Sequence, residues 1–308
     1  MCRLLVAVTN ITQQKVNEAE LTIDGIQVTG TEPNSYTMSI QATIKADSSI
    51  KATVDGFNGT MWLADTNPPL AFASINFPQT DTSAVQQVNV TQDVQISDAA
   101  AFTTFNEYLL TNKSITVWVL GKTHVHVSGI SHAYGVDFNK TVILTGLDGF
   151  AGLSVTNPKI SLAETNNFNG TTNIPNPSIL TLDIGNVTFT NFLNGSAIGT
   201  TQINDLVFKP GNNSFFTTAT ISQLPVLEAL TAEPLCKLDG KLPFVLTGKN
   251  VTNNGQVIPY FRDALASANQ SVTIDLSKAA PAAGIPIGCT NSSSSSEDND
   301  EPMTNVGN

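Results

Sequence analysis

The sequence predicts an all-β chain: two tandem β-sandwiches, each with a short amphipathic helix, followed by a disordered acidic tail. Three observations carry that expectation. Period-two alternation of apolar and polar residues recurs along most of the chain, turn signals separate the alternating runs, and one helix-then-strand segment occurs twice.

Alternation is clear over Glu20–Val28, Tyr36–Ile44, Ile50–Asp55, Val85–Ile96, Ser114–Ser128, Thr141–Thr145, Ile179–Phe189, Gln202–Phe208 and Phe215–Ser222. Such runs read as strands with one wet face. Between them stand Asp55-Gly56, Asn58-Gly59, Asn67-Pro68-Pro69, Asn194-Gly195, Pro210-Gly211 and Asn254-Gly255, all turn chemistry. Many short strands at this spacing point to sandwiches of the immunoglobulin or fibronectin kind. Composition agrees. Only 13% of residues are charged against 41% hydrophobic, and Thr, Asn and Ser replace the Glu and Lys of a helical protein.

Helical pattern is scarce. Ser97-Asp98 can cap a helix with Phe102, Phe105 and Leu109 on one face. A second candidate, Val257–Ala268, puts Phe261, Ala264, Leu265 and Ala268 on one stripe, and a short third lies near Leu224–Leu230. The repeat follows from the first two: Asn106–Val117 is mirrored by Arg262–Ile274, each a helix delivering the chain into a strand. Upstream, Ser35–Ile44 and Pro177–Ile184 each open a run of strands. These features divide the chain into a first sandwich, 1–146, a second, 147–284, and a disordered Ser-rich and acidic tail, 285–308, with the boundary in the glycine cluster Gly146–Gly152. The tail has no hydrophobic end of the kind a lipid-anchor signal requires.

The charge balance, 25 acidic against 14 basic residues and a net charge of −11, excludes a basic nucleic-acid footprint. Asn-x-Ser/Thr triplets stand at Asn10, Asn58, Asn89, Asn112, Asn139, Asn169, Asn186, Asn194, Asn212, Asn250, Asn269 and Asn291. They exceed the number chance supplies and point to N-glycosylation in the secretory pathway. The run Leu4–Val8 is too short for a signal or membrane segment. Leu4–Asn10 running into Ile11-Thr12 reads as a first strand, so the chain is either cytosolic or lacks its natural N-terminal anchor; the triplets favour a missing anchor. Three cysteines fit either compartment; Cys236 and Cys289 are the expected disulfide, leaving Cys2 over.

Val155-Thr156-Asn157-Pro158, then Pro175-Asn176-Pro177-Ser178, the strand Ile179–Ile184, the hairpin Leu193–Gly199 and Pro210-Gly211-Asn212 resemble the late-embryogenesis-abundant group 2 domain, also called the water-stress-and-hypersensitive-response domain. The likeness is good from Val155 to Ile221 and looser in the first half. The tandem arrangement, triplets and low charge look most like a fungal family of membrane-anchored proteins. That resemblance implies a vacuolar or endomembrane protein with one N-terminal membrane helix and a lumenal pair of sandwiches. It further implies binding or transfer of lipid in an apolar groove between sheet and helix. The apolar helix faces supply the groove candidates, Phe102, Phe105, Leu109, Phe261 and Leu265, although such faces more often pack as core than hold a ligand. This chain departs from the family pattern in having no membrane helix.

Catalytic chemistry is not legible. His124-Val125-His126 puts two imidazoles on one strand face with His132 beyond, which reads as a wet face rather than a zinc site. Gly129-Ile130-Ser131-His132-Ala133 lacks the final glycine and the helix of a nucleophile elbow. Gly121-Lys122-Thr123 lacks the upstream glycine of a phosphate loop. Asp137, Asp148 and Asp183 are isolated. The expected function is therefore non-catalytic, without cofactor, metal or nucleic acid. A lumenal lipid-binding module leads, with a lipid or a membrane protein as partner; a structural or adhesive protein–protein module is the alternative.

Overall fold

The computed structural model describes residues 2–46, 51–81 and 84–290, with side chains from residue 10 onward. Helix α1 (Cys2–Glu18) leads into β1 (Glu20–Thr29) and β2 (Ser35–Lys45). Next come β3 (Ala52–Val54), β4 (Phe57–Leu63), β5 (Leu70–Phe77), β6 (Thr80–Asp81) and β7 (Val85–Gln95). Helix α2 (Ala99–Thr111) and the long hairpin β8 (Ser114–Val127) and β9 (Ala133–Thr145) close the first half. The second half runs β10 (Ser154–Ile160), β11 (Phe168–Asn176), β12 (Leu180–Leu193), β13 (Ser196–Phe208), β14 (Gly211–Ile221) and α3 (Gln223–Thr231). It ends with β15 (Lys241–Asn253), β16 (Gln256–Val257), α4 (Pro259–Ser267), β17 (Asn269–Asp275) and α5 (Ala279–Ala282). The chain is an all-β protein with short helices, as its alternation predicts.

The expected strand through Leu4–Thr12 is a helix instead. Its start, rich in β-branched residues, is followed by Gln13, Gln14, Lys15 and Glu18, good helix formers that bond along the axis. Gln13 bonds Asn17 and Gln14 bonds Glu18 at i,i+4, and Lys15 pairs with Glu18 at 3.4 Å. No helix among the described residues is long and apolar enough to cross a membrane.

Two sheets form. The smaller joins β5, β4, β8, β3 and β6 in that order, with β9 on the other side of β8. The larger runs β10-β11-β14-β13-β12-β1-β2-β7. One edge of β12 is shared: Leu180–Leu182 pair in parallel with Ile26–Val28 of β1, while Asn186–Leu193 pair antiparallel with β15. Strand β17 then pairs with β15. The first sandwich therefore sets β1, β2 and β7 against β5, β4, β8 and β9, and the second wraps β10–β14 round to β15 and β17.

The boundary at 146/147 divides the strand order but not the core. Besides the β1–β12 ladder, one apolar cluster joins Tyr36, Phe72, Phe102 and Leu109 of the first half to Leu182, Phe189, Tyr260 and Phe261 of the second. The glycine cluster is itself packed: Leu147 and Phe150 are buried, and Phe150 meets Phe208 edge-on at 5.5 Å.

Helices α2 and α4 hold this join. Asp98 caps α2, its carboxylate accepting from the Ala101 N–H at 2.9 Å. Phe102 stacks on Tyr36 at 5.0 Å and meets Tyr260 of α4 at 4.9 Å, while Phe105 stacks on Phe72 at 4.0 Å. Glycine permits the closeness. A Cβ on Gly248 of β15 would lie 2.5 Å from that of Leu265, and one on Gly146 would lie 2.1 Å from the Asn112 carbonyl oxygen. The repeat holds as strand, helix, strand, but α2 carries the chain to the other sheet, whereas α4 returns β17 to the side of β15.

The signal Asn58-Gly59 lies inside β4 rather than in a turn. Gly59 pairs with Gly121, and a Cβ on either would strike the ring of Phe77 or Phe57 at 2.6–2.7 Å. Close aromatic packing, not backbone reversal, uses this glycine. Residues 285–290, expected to be disordered, are fixed: Gly288 and Thr290 donate to the carbonyls of Leu230 and Thr231, and Cys289 is joined to Cys236. Asn291 and the Ser-rich acidic tail lie outside the described residues.

Candidate ligand cavities

Each sandwich holds a partly open apolar cavity. Inward-facing residues of a sheet alternate with outward ones, so wall chemistry is set by every second position. In the first half, Leu21, Ile44, Phe57, Phe77, Val125 and Phe138 are among those surrounding about 130 Å³ of space open to a water-sized sphere. One water needs about 10–15 Å³ on that measure, so this is far more than a packing defect. Helix α1 covers it through Thr12, Lys15 and Val16, with Ala19 and Glu20 just beyond the helix and Lys140 of β9 also on its wall.

The cover is fastened at two points. The Gln13 amide bonds the β9 backbone both ways at Asp137, donating to the carbonyl and accepting from the N–H, each at 2.8 Å. The Lys140 ammonium donates to the carbonyls of Val16 at 2.8 Å, Asn17 at 3.1 Å and Ala19. A cation on the last carbonyls of a helix complements its dipole. Burial holds the Lys140 amine below its ordinary range.

In the second half the cavity measures about 100 Å³ on the same basis. Phe189, Phe244, Leu246, Val272 and Ile274 are among its walls, and no lining residue among the described ones is charged. Several polar side chains sit in this wall and most are satisfied. Thr172 and Thr217 bond each other at 2.7 Å, and Asn167 exchanges two bonds with Ile221. Strands β10 and β17 lie side by side without a ladder, each being paired on one side only. Exposed Gln223 of α3 and half-buried Ile285 complete the lining.

The groove candidates are placed elsewhere. Phe102, Phe105, Leu109, Phe261 and Leu265 are all buried in the core at the α2–α4 join, and none of them lines either cavity. Each helix face meets the other helix and a sheet rather than an open seam. Sequence reasoning missed the cavity walls because they consist of ordinary inward strand positions. The α1 cover is hidden because Val6, Val8, Thr9, Ile11 and Thr12 give that segment the look of a strand.

The remaining candidates fall on the surface. His124 and His126 are exposed on β8, the latter 3.0 Å from Asp55, and His132 sits edge-on to Tyr134. No group of three or more metal-ligating side chains gathers among the described residues. Gly129–His132 form the β8–β9 turn, and Gly121-Lys122-Thr123 lie within β8. Asp137 and Asp148 make long surface pairs with Lys122 at 3.9 Å and Lys113 at 3.8 Å. Asp183 is half-buried on β12, its carbonyl accepting from the Thr31 hydroxyl.

The asparagines divide cleanly. Asn10, Asn58, Asn89, Asn112, Asn139, Asn186, Asn194, Asn212 and Asn269 are exposed, and Asn169 and Asn250 are half-buried. The buried asparagines, Asn106, Asn167, Asn176, Asn191 and Asn213, all lie outside glycosylation triplets.

Residues 70–191 match the family described as "Protein of unknown function (DUF3712)", over less than half of the chain and across the join of the two halves. No curated protein matches. Among solved structures, a protein from Archaeoglobus fulgidus is 7% identical, covering 42% of this chain and 94% of its own, with a TM-score of 0.25. A bacterial adhesin from Mobiluncus mulieris is 8% identical over 75% of this chain and 79% of its own, with a TM-score of 0.21. The CupB6 tip adhesin from Pseudomonas aeruginosa is 8% identical over 84% of this chain and 98% of its own, with a TM-score of 0.20.

Proposed function

We propose that this chain is a non-catalytic binding module that holds lipid in the interiors of its two sandwiches, on the lumenal side of a vacuolar or other endomembrane. The presence of an apolar cavity in each sandwich carries this reading. An acyl chain gains about 0.8 kcal/mol for each CH₂ it buries, so an unfilled apolar interior favours such a guest. The lipid implied by the family resemblance then sits inside the sandwiches and not in a helix–sheet seam. Native mass spectrometry of the protein purified from its own membranes should find a co-purifying lipid. A lipid-free protein that also ignores added lipids would leave the structural or adhesive module in its place.

The compartment has its own support. Buried asparagines avoid the triplets while those in triplets reach the surface, and a Cys236–Cys289 disulfide suits an oxidising lumen. A membrane anchor N-terminal to α1, and membership of the late-embryogenesis-abundant group 2 family, belong to the same proposal. Endoglycosidase should lower the apparent mass of the native protein, with Asn58, Asn194 and Asn212 among the occupied sites. An unchanged mass would argue for a cytosolic protein.

A further inference from the structure

One amide in the second cavity is out of keeping with its wall. Gln270, on β17, is 1% exposed, lines the cavity, and has no hydrogen-bond partner for either its Oε1 or its Nε2 among the described residues. A buried amide that leaves both donor and acceptor unmade is costly, and an apolar residue would fill the same position without that cost. The neighbourhood repeats the feature. Asn191, on β12, is 3% exposed and lines the same cavity; its Oδ1 accepts from the Thr201 hydroxyl at 2.9 Å, but its Nδ2 has no partner among the described residues.

Register brings the two amides onto one line. Asn191 pairs with Leu246 of β15, and Leu246 pairs with Gln270. Directly paired residues share a face, and neighbouring strands lie about 4.8 Å apart, so the amide-bearing positions stand about 10 Å apart across the same wall. From Gln270 the apolar wall continues along β17 through Val272 and Ile274 to Leu276 just past the strand's end. Six residues of strand make this line about 20 Å long, the form of an extended hydrocarbon tail.

We propose that Gln270, assisted by the Asn191 Nδ2, anchors the polar end of a single-chain lipid whose head is an uncharged carbonyl with an adjacent donor. A protonated fatty acid and a primary fatty amide share this chemistry. Gln270 would donate from Nε2 to the ligand carbonyl and accept on Oε1 from the ligand O–H or N–H, the cyclic pair that two such groups form. An ionised carboxylate fits poorly: Oε1 would face a second acceptor, and among the described residues none that lines the cavity carries a compensating charge. The inference rests on the cavity reading above and adds the identity of the head.

The test uses the full chain, stripped of lipid and titrated calorimetrically with palmitic acid, palmitamide and hexadecane. The wild type should prefer palmitamide to hexadecane by about tenfold or more, the range for a buried neutral pair. Palmitic acid should bind more tightly as pH falls and its head becomes neutral, whereas palmitamide should be insensitive to pH. Gln270→Leu should abolish the preference for palmitamide while keeping hexadecane affinity, which also shows that the variant is folded; Asn191→Leu should reduce the preference in part. Equal preference in wild type and Gln270→Leu, or tightest binding of the ionised acid, overturns the head assignment and leaves the cavity reading standing. Failure of all three ligands to bind the wild type removes both.

Discussion

Glu107 lies on α2 where that helix meets α4, and its carboxyl is held above the ordinary value of about 4.5, first by burial and then by the charge of Asp263. Asp263 is engaged by Arg262, whose Nε and Nη2 donate to its two oxygens at 2.7 and 3.2 Å. A carboxyl raised in the folded state binds more protons there than in the unfolded chain. Its charge therefore weakens the fold above the folded pKa, and that penalty disappears as pH falls below the unfolded value. Glu107→Gln should accordingly raise the melting temperature at neutral pH by on the order of 1 °C. The gain should vanish below about pH 4.5, which a melting series across pH will read directly. Nothing in the linear sequence marks Glu107, because its neighbour lies on a helix from the other half.

Among the elements, strands with one wet face were the legible ones. Ser114–Val127 and Glu20–Thr29 alternate because one side meets core and the other meets solvent. Helix α2 is readable from its Asp98 cap and an apolar stripe and α4 from its stripe alone, but their partner is not: a stripe says that a face is buried, not against what. The cavities left no mark, since a lining valine and a packed valine read alike. Helix α1 was hidden behind β-branched residues, and its fastening depends on Lys140, more than a hundred positions away. Lys140→Met should release that fastening. Hydrogen exchange in α1 should quicken, and stability should fall by about 1–3 kcal/mol as the helix-end carbonyls lose their partner. Unchanged protection of α1 would show that Gln13 and apolar contact suffice. At the other end, the Cys236–Cys289 bond spans a separation of 53 residues and pins the segment that carries Ile285 against the second cavity. Replacing both cysteines by alanine should lower stability by about 4 kcal/mol in the chain-entropy model. Non-reducing peptide mapping that finds both thiols free in the native protein would dispose of this prediction.

At the scale of the molecule, one apolar cluster crosses the join of the two sandwiches, beside a second that lies wholly in the second half, and this changes how the chain should unfold. Two sandwiches joined by a loose linker would melt separately. Here the β1–β12 ladder makes the larger sheet continuous, and Phe102 touches Tyr36 of its own half and Tyr260 of the other. Separating the halves would strip the α2–α4 contact of its cover and expose Phe102, Phe105, Tyr260 and Phe261 together, an apolar loss neither half recovers alone. The described region should therefore unfold in one calorimetric transition whose calorimetric and van't Hoff enthalpies agree. Phe102→Ala, costing about 3–5 kcal/mol, should lower that single transition as a whole rather than split it. A fragment ending at residue 146 should be aggregation-prone or unfolded, because it keeps the β1 edge and the α2 face but loses what covers them. Two resolved transitions, or a stable monomeric fragment with the same melting temperature as the full chain, would show that each sandwich folds on its own core.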